Sequence, residues 1–287
     1  MSGETKSGQT GEACAACDGR EAGKGKPKFE YLQQNELSNV KRVVAVMSGK
    51  GGVGKSLVTS LLAVTFTRDG YQVGILDADV TGPSIPKSFG VKGRPEVVGE
   101  VLYPLRTACG IRVISMNLFL EKEDEPVIWR GPVISGAIKQ FWTDVAWGDL
   151  DYLFVDLPPG TGDVPLTVMQ SLPLSGIIVV SSPQDLTIMV VRKAIRMAEM
   201  MGVPLLGLVE NMAYIVCPQC GEKIYAFGAP QGKTVAAETG LELLATLPVD
   251  PKLAKLVDAG EIEECDQSGL EHLPRILDAK LDGKSLS

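Results

Sequence analysis

"RVVAVMSGKGGVGKS", residues 42–56, is the stretch that decides the fold. Its first half, 42–48, is an apolar, β-branched run that reads as a buried strand. Its second half holds Gly49, four residues, then Gly54-Lys55-Ser56, the G-x-x-x-x-G-K-[ST] spacing of a phosphate-binding loop. "GKSLVTSLLAVTFTRDG" (54–70) follows with helical spacing and stops at a glycine. A strand, a glycine-rich turn and a helix are the setting in which this motif works. Gly49, Lys50, Gly51, Gly52, Val53, Gly54, Lys55 and Ser56 can turn backbone N–H groups inward around phosphate oxygens. The helix start adds its positive end. Lys55 reaches toward the β- and γ-phosphates, and the Ser56 hydroxyl suits Mg²⁺.

Outward from the loop, strands and helices alternate. "QVGILDAD" (72–79), "DYLFVDLPP" (151–159), "SGIIVVSSP" (175–183) and "VPLLGLVENM" (203–212) read as further buried strands. "GPVISGAIKQFWTDVAW" (131–147) and "DLTIMVVRKAIRMAEMMG" (185–202) read as helices, the second with Asp185 at its N-cap and Gly202 past its end. "VLYPL" (101–105) and "IRVISM" (111–116) read as a hairpin or edge strands. Apolar strands alternating with helices predict an α/β fold, a doubly wound, mostly parallel sheet with helices on both faces. From about 231 onward the chain reads as short helices packing on the same domain. Residues 1–38 are rich in Gly, Lys, Glu and Ser, a composition that predicts a mobile N-terminal arm before a single domain over 39–287.

A net charge of −7 argues against broad nucleic-acid binding, which needs a basic face. No apolar run reaches the roughly 18–20 residues of a membrane span, and the N-terminus has no hydrophobic signal segment, so no membrane partner and a cytoplasmic location are expected. In that setting cysteines read as metal ligands or free thiols before disulfides. Cys217 and Cys220, in "ENMAYIVCPQCGEK" (210–223), offer two thiolates in one loop, half of the four that hold structural zinc or an iron–sulfur cluster. On residue chemistry alone the two metals are evenly balanced. Cys14 and Cys17 form a second C-x-x-C in the arm, open to roles as another half-site, a hand-over site or free thiols. Cys109 and Cys265 stand alone and read as buried filler. His272, the one histidine, reads as a surface residue.

Two strands end in carboxylates. In a doubly wound sheet ligands sit beyond the carboxyl ends of strands, so Asp77, Asp79 and Asp156 can converge on the phosphate loop. Asp156 takes the position that holds the magnesium shell. Asp79 reads as the group that positions or deprotonates the attacking water, and Asp77 as a magnesium-linked or supporting acid.

"KGGVGKS" with its early Lys50, together with "DADVTGPSIPK", "WRGPVISGAIKQFWTDVAWGDLDYLFVDLPPGTGD", "SSPQDLTI" and "VENMAYIVCPQCG", resembles the Mrp branch of the MinD-like P-loop ATPases, also called the ApbC or nucleotide-binding-protein branch. The resemblance covers roughly residues 38–265. It implies an ATP-hydrolysing carrier or scaffold for iron–sulfur clusters that works as a homodimer and serves apo iron–sulfur proteins. It implies that Lys50 reaches across the dimer to the partner's phosphates and that Asn211 bonds the adenine. It also implies one [4Fe–4S] cluster held by Cys217 and Cys220 of both subunits. Some relatives carry four cysteines in the N-terminal arm; this chain has only Cys14 and Cys17 there, so that role does not transfer. Two other readings share the fold: a MinD-like positioning or partitioning ATPase, and a reductase like the nitrogenase iron protein. In the C-terminal stretch, Leu270, Leu273, Ile276 and Leu277 have helical spacing that Pro274 is expected to interrupt, and they read as packing on their own domain rather than on a membrane.

Overall fold

The strand that leads into the phosphate loop, β1 (Ser38–Ser48), lies in the middle of an eight-stranded sheet. The structure is a computed structural model and describes residues 29–79, 84–119, 131–184, 188–266 and 268–283. In chain order β1 is followed by α1 (Lys55–Arg68), β2 (Val73–Asp77), α2 (Ile85–Ser88), β3 (Glu96–Val98), β4 (Val101–Tyr103), β5 (Leu105–Arg106) and β6 (Arg112–Ser115). Next come α3 (Gly131–Thr143), β7 (Gly148–Asp156), α4 (Asp163–Ser171), β8 (Gly176–Ser181), α5 (Ile188–Met201) and β9 (Leu205–Glu210). The chain closes with β10 (Ile215–Val216), β11 (Lys223–Ile224), α6 (Gly232–Thr239), β12 (Leu243–Thr246), α7 (Pro251–Ala259) and α8 (Leu273–Leu281). The sheet order is β12-β9-β8-β1-β7-β2-β6-β5, parallel throughout except for the β5–β6 edge pair.

Both faces of the sheet are buried, which is why its strands are apolar without alternation. Along β1, Val43, Ala45 and Met47 face one core and Val44 and Val46 the other. On the first side α3, α4 and α5 supply Trp142, Val168 and Ala194. On the second, α1 supplies Val58, Leu61 and Leu62 against Tyr152 and Phe154 of the sheet. α1 is buried nearly all round because the C-terminal segment covers its outer side with Ile262, Leu270, Leu273 and Leu277. The tail leucines are therefore committed to the chain's own core, as their spacing predicts. Pro274 does not interrupt them: it sits in the first turn of α8, where its missing N–H costs no helix bond.

Besides the short elements α2, β3, β10 and β11, two larger ones escaped the sequence pattern. β12, from "LLAT", lies in the region expected to be helical and pairs with β9. α4 directly follows the loop after β7. "VLYPL" splits, with β4 pairing β3 and β5 pairing β6. The boundary expected near residue 38 also moves. The backbone N–H of Leu32 donates to Ser171 O (2.9 Å), its carbonyl accepts from Trp142 Nε1 (2.8 Å), and Asn35 Nδ2 donates to Thr143 O (3.2 Å). These bonds tie residues 32–35 to the body, although their composition resembles the arm's. Residues 1–28, with Cys14 and Cys17, lie outside the described residues, as does Asp185.

α8 is locked to the sheet by a polar cluster on the sheet's far side. Asp278 accepts from Tyr71 Oη (2.6 Å) and Tyr152 Oη (2.5 Å) and pairs with Arg42, which also reaches Asp282 at 2.5 Å. Burial alone would push the Asp278 carboxyl up, but the hydroxyls of Tyr152 and Tyr71 and the Arg42 guanidinium outweigh it and hold it below the usual carboxylate range. The hydrogen bond to Asp278 pushes the Tyr71 phenol up to about 12. A depressed carboxyl stabilises the fold above its unfolded value, and that contribution is lost as pH falls through its folded one. Asp278→Asn should therefore lower stability at pH 7 by about 1–3 kcal/mol and shrink the drop in melting temperature between pH 7 and acid. Thermal unfolding followed by circular dichroism at both pH values checks this; an unchanged acid limb would count against the cluster's role.

Candidate functional site

The parallel register carries three polar strand ends into one row. Asp77 of β2 lies opposite Asp156 of β7 on one side and Ser115 of β6 on the other. β1, next to β7, ends at Ser48, where the phosphate loop begins. The loop's last glycine, Gly54, takes φ 77° and starts α1. Its conformation is left-handed, and a Cβ there would come within 2.3 Å of Asn211 Nδ2. Only glycine fits this position.

Lys55, 5% exposed, points into the carboxylates. Its Nζ lies 2.8 Å from Asp156 Oδ1 and 3.4 Å from Asp79 Oδ2. Asp156, fully buried, also accepts from Ser56 Oγ (2.5 Å) and Thr59 Oγ1 (2.8 Å). Asp77 accepts from Ser115 Oγ (2.8 Å) and the backbone N–H of Asp79 (3.1 Å). Burial, followed by the nearby Asp156 charge, pushes the Asp77 carboxyl up to about 8. The loop after β7 is tied to the same place, since Gly160 N–H donates to Ser48 O at 2.8 Å. The donor chemistry of a Ser hydroxyl beside buried carboxylates suits a hard divalent cation such as Mg²⁺. Lys50 stands exposed at the loop's rim, and its carbonyl accepts from Ser48 Oγ (3.1 Å).

The structure thus brings Lys55, Ser56, Asp77, Asp79 and Asp156 together. Sequence reasoning missed Thr59 and Ser115, whose hydroxyls donate to Asp156 and Asp77. Thr59 sits one turn after Lys55 and Ser115 at the end of an apolar strand, and those positions were the available signals. Asn211 has a further task besides any contact with a base. Its Nδ2 donates to Val53 O (3.0 Å) and its N–H to Ser181 O (2.8 Å), so it joins the end of β9 to the phosphate loop.

From Asn211 the chain runs directly to the cysteines. Met212 takes φ 56°, and Ala213 N–H donates to Leu247 O (2.9 Å). β10 and β11 then form a short antiparallel hairpin with Cys217-Pro218-Gln219-Cys220 in its turn. Cys217 N–H donates to Glu222 O and Gly221 N–H to Cys217 O, both at 2.9 Å. Backbone N–H groups of Cys220 and then Gln219 hold the Cys217 thiol below its ordinary pKa, which favours the thiolate that binds metal. Cys220 is exposed, and among the described residues no group of three or more His, Cys, Asp or Glu side chains could hold a metal ion. Both thiols stand at a tip with no third ligand from the described part of the chain. Val216, Ile224, Tyr225 and Phe227 around them are exposed. Cys265 is buried as expected, but Cys109 is exposed in a tight loop where its N–H meets Glu263. His272 is exposed, its Nε2 2.7 Å from Leu244 O.

In the protein without metal or nucleotide, Asp77 binds a proton that the unfolded chain has released above pH ~4. Its contribution to stability is therefore present below that value and lost as pH rises toward 8. Asp77→Asn should flatten the fall in unfolding midpoint between pH 5 and 8. Urea titrations at several pH values in chelator measure it, and an equal slope in both proteins would contradict the assignment.

The family model described as ParA, NUBPL iron-transfer P-loop NTPase, matches residues 39–279. An "Iron-sulfur cluster carrier protein" from Clostridium perfringens is 47% identical over 234 residues, 79% of this chain and 82% of that protein. One of the same name from Methanocaldococcus jannaschii is 44% identical over 79% of each chain. A solved nucleotide-binding protein from Archaeoglobus fulgidus, in complex with ADP, superposes with a TM-score of 0.74 at 48% identity, covering 81% of this chain and 91% of that one. The MinD fold recurs in the MinC:MinD complex of Aquifex aeolicus, TM-score 0.61 at 19% identity. With its phosphate loop, its acids and its cysteine hairpin in the same chain, the protein belongs to the NUBPL iron-transfer family of P-loop NTPases.

Proposed function

We propose that the chain is an ATP-hydrolysing iron–sulfur carrier that assembles a [4Fe–4S] cluster between two copies and passes it to apo-proteins in a reducing compartment such as the cytoplasm. One observation carries this reading. The hairpin presents two thiols at an exposed tip, without a third ligand among the described residues, and the tip is linked through Asn211 to the phosphate loop. Four thiolates complete an iron–sulfur site, and a second copy supplies the missing pair. The exposed Val216, Ile224, Tyr225 and Phe227 give that second copy an apolar surface to bury. The carrier names of relatives at 44–47% identity favour iron–sulfur over zinc.

On the nucleotide side, Gly49 to Ser56 cradle the phosphates and Lys55 moves its charge from the carboxylates to the β- and γ-oxygens. Mg²⁺, held by Ser56 and Asp156 with Asp77 behind them, would neutralise charge developing on the phosphates. Asp79 positions the attacking water or takes its proton. Lys50, at the exposed rim, acts on the phosphates of the second copy. Turnover is slow because ATP serves as a switch between two dockings of the subunits. The route to the cluster is short: a shift of the loop at Val53 is felt at Asn211, six residues before Cys217.

Lys55→Ala should lower hydrolysis by roughly 10² or more, since it removes charge stabilisation of the transferring phosphoryl. Lys50→Ala should spare the fold and lose hydrolysis, whereas Asp79→Asn should bind Mg-ATP and accumulate as a nucleotide-bound dimer. Phosphate release with light scattering tests all three, and normal turnover by an isolated Lys50→Ala monomer would refute action across the dimer.

Cys217→Ala and Cys220→Ala should each lose the cluster while folding and binding ATP normally. Anaerobic reconstitution, with iron, sulfide and mass measured per particle, should give four irons per wild-type dimer. Four irons per monomer, or tightly held zinc in their place, would overturn the bridging cluster.

A further inference from the structure

α5 carries a second face that the fold covers only in part. Val191, Ala194 and Ala198 pack into the core. Lys193, Arg196, Met197, Met200 and Met201 follow the i, i+3, i+4, i+7, i+8 spacing of an amphipathic stripe, in which Lys193, Arg196 and Met200 are exposed while Met197, buried, and Met201, half-buried, pack against the core and form its floor. Together with Thr161 and Leu166 they line a groove of about 210 Å³ between α5 and α4. The stripe spans about 12 Å at helical rise, two turns. Met200 is 68% exposed, the most exposed of the large apolar side chains among the described residues. Neither Lys193 nor Arg196 forms a salt bridge among the described residues.

The volume is below the roughly 300–1,000 Å³ of a small-molecule site, so the groove has room for one or two side chains rather than a cofactor. Methionines are unbranched and polarizable, and they adapt to apolar side chains of differing shape. The groove has no carboxylate in its lining, and two cations flank it in a chain of net charge −7. Two cations are too small a field for a lipid surface, which recruits clusters of four or more. They match the carboxylates on one face of a short helix.

We propose that this groove docks an acidic amphipathic helix of a protein partner, with a leucine or phenylalanine seated among Met197, Met200 and Met201 and carboxylates paired with Lys193 and Arg196. Thr161 gives the groove a link to the nucleotide. It belongs to the loop that starts after Asp156 and is tied at Gly160 to Ser48, so a docked helix touches a segment that ends at the phosphate site. That coupling rests on the nucleotide role proposed above; the docking itself does not.

The probe is a fluorescent 15-residue helical peptide with Leu at helical period and Glu elsewhere. A scrambled peptide of the same composition, a Lys-for-Glu version and phosphatidylglycerol vesicles serve as comparisons. Anisotropy on the full-length protein should show the acidic helix binding at least about tenfold tighter than either comparison peptide. Met200→Glu and the double change Lys193→Glu with Arg196→Glu should each lose at least about tenfold, and the Lys-for-Glu peptide should bind the double variant better than the wild type. Peptide-free ATP turnover and iron content in these variants should equal wild type. Equal binding of the scrambled peptide, unchanged binding by the variants, no gain on charge reversal, or vesicle binding lost in the same variants would each overturn the proposal. Wild-type protein without turnover or iron would instead count against the carrier role, since peptide binding is read independently of both.

Discussion

Everything at the carboxyl edge of the sheet depends on one buried cation among acids. Lys55 is held by Asp156 and Asp79, and Asp156 lies directly across the strand register from Asp77. Two carboxylates this close to each other in a fully buried row cannot both stay charged without a positive partner. Parallel pairing fixes where the row falls, and the helix after the phosphate loop fixes where the lysine enters. A one-residue slip of β7 would turn Asp156 to the opposite face and leave Lys55 without its main partner. The fold and the site are thus specified by the same register, and the polar cluster cannot be moved without repacking both cores.

The two ends of α1 have opposite duties. Its first turn meets the acids through Lys55, Ser56 and Thr59. Its last turn is covered by the chain's C-terminal segment, where Thr65 Oγ1 lies 2.7 Å from Ser268 Oγ and Arg68 reaches Glu263 O at 2.6 Å. Phe66, fully buried, sits edge-on to Tyr152 and Phe154 with ring centroids 4.7 and 5.2 Å apart. Removing such a ring costs about 3–5 kcal/mol, so the rear of the helix is a firm anchor for the reactive front. Preorganisation of this kind keeps a phosphate site in place while its loop and rim change partners.

Much of this was legible before the structure. The spacing of Gly49, Gly54, Lys55 and Ser56 names its own chemistry, and the acids at the ends of apolar strands are placed by the rule that ligands gather at that edge. What stayed hidden was set by partners distant in sequence. "LLAT" is too short to declare itself a strand and becomes one because β9 offers a free edge. Residues 32–35 look like linker, yet they are held by Trp142, Thr143 and Ser171, more than a hundred residues away. Pro274 reads as a breaker until the helix is seen to begin there. Thr59 and Ser115 carry no motif, and their value appears only when Asp156 and Asp77 stand opposite them.

The cysteine hairpin rests on very little. Two residue pairs, Ile215 with Ile224 and Val216 with Lys223, form its ladder, and Lys223 adds a contact over the Tyr214 ring at 4.2 Å. Its tip is exposed from Pro218 to Lys223, with Cys217 half-buried, while the strand behind it is buried to the last residue. Segments of this kind open locally at a small fraction of the free energy needed to unfold the whole. A tip of this kind can open on its own, with hydrogen exchange faster than in the sheet behind it. For a cluster held there as proposed above, the time of stay would follow the opening of that local unit rather than the stability of the sheet behind it.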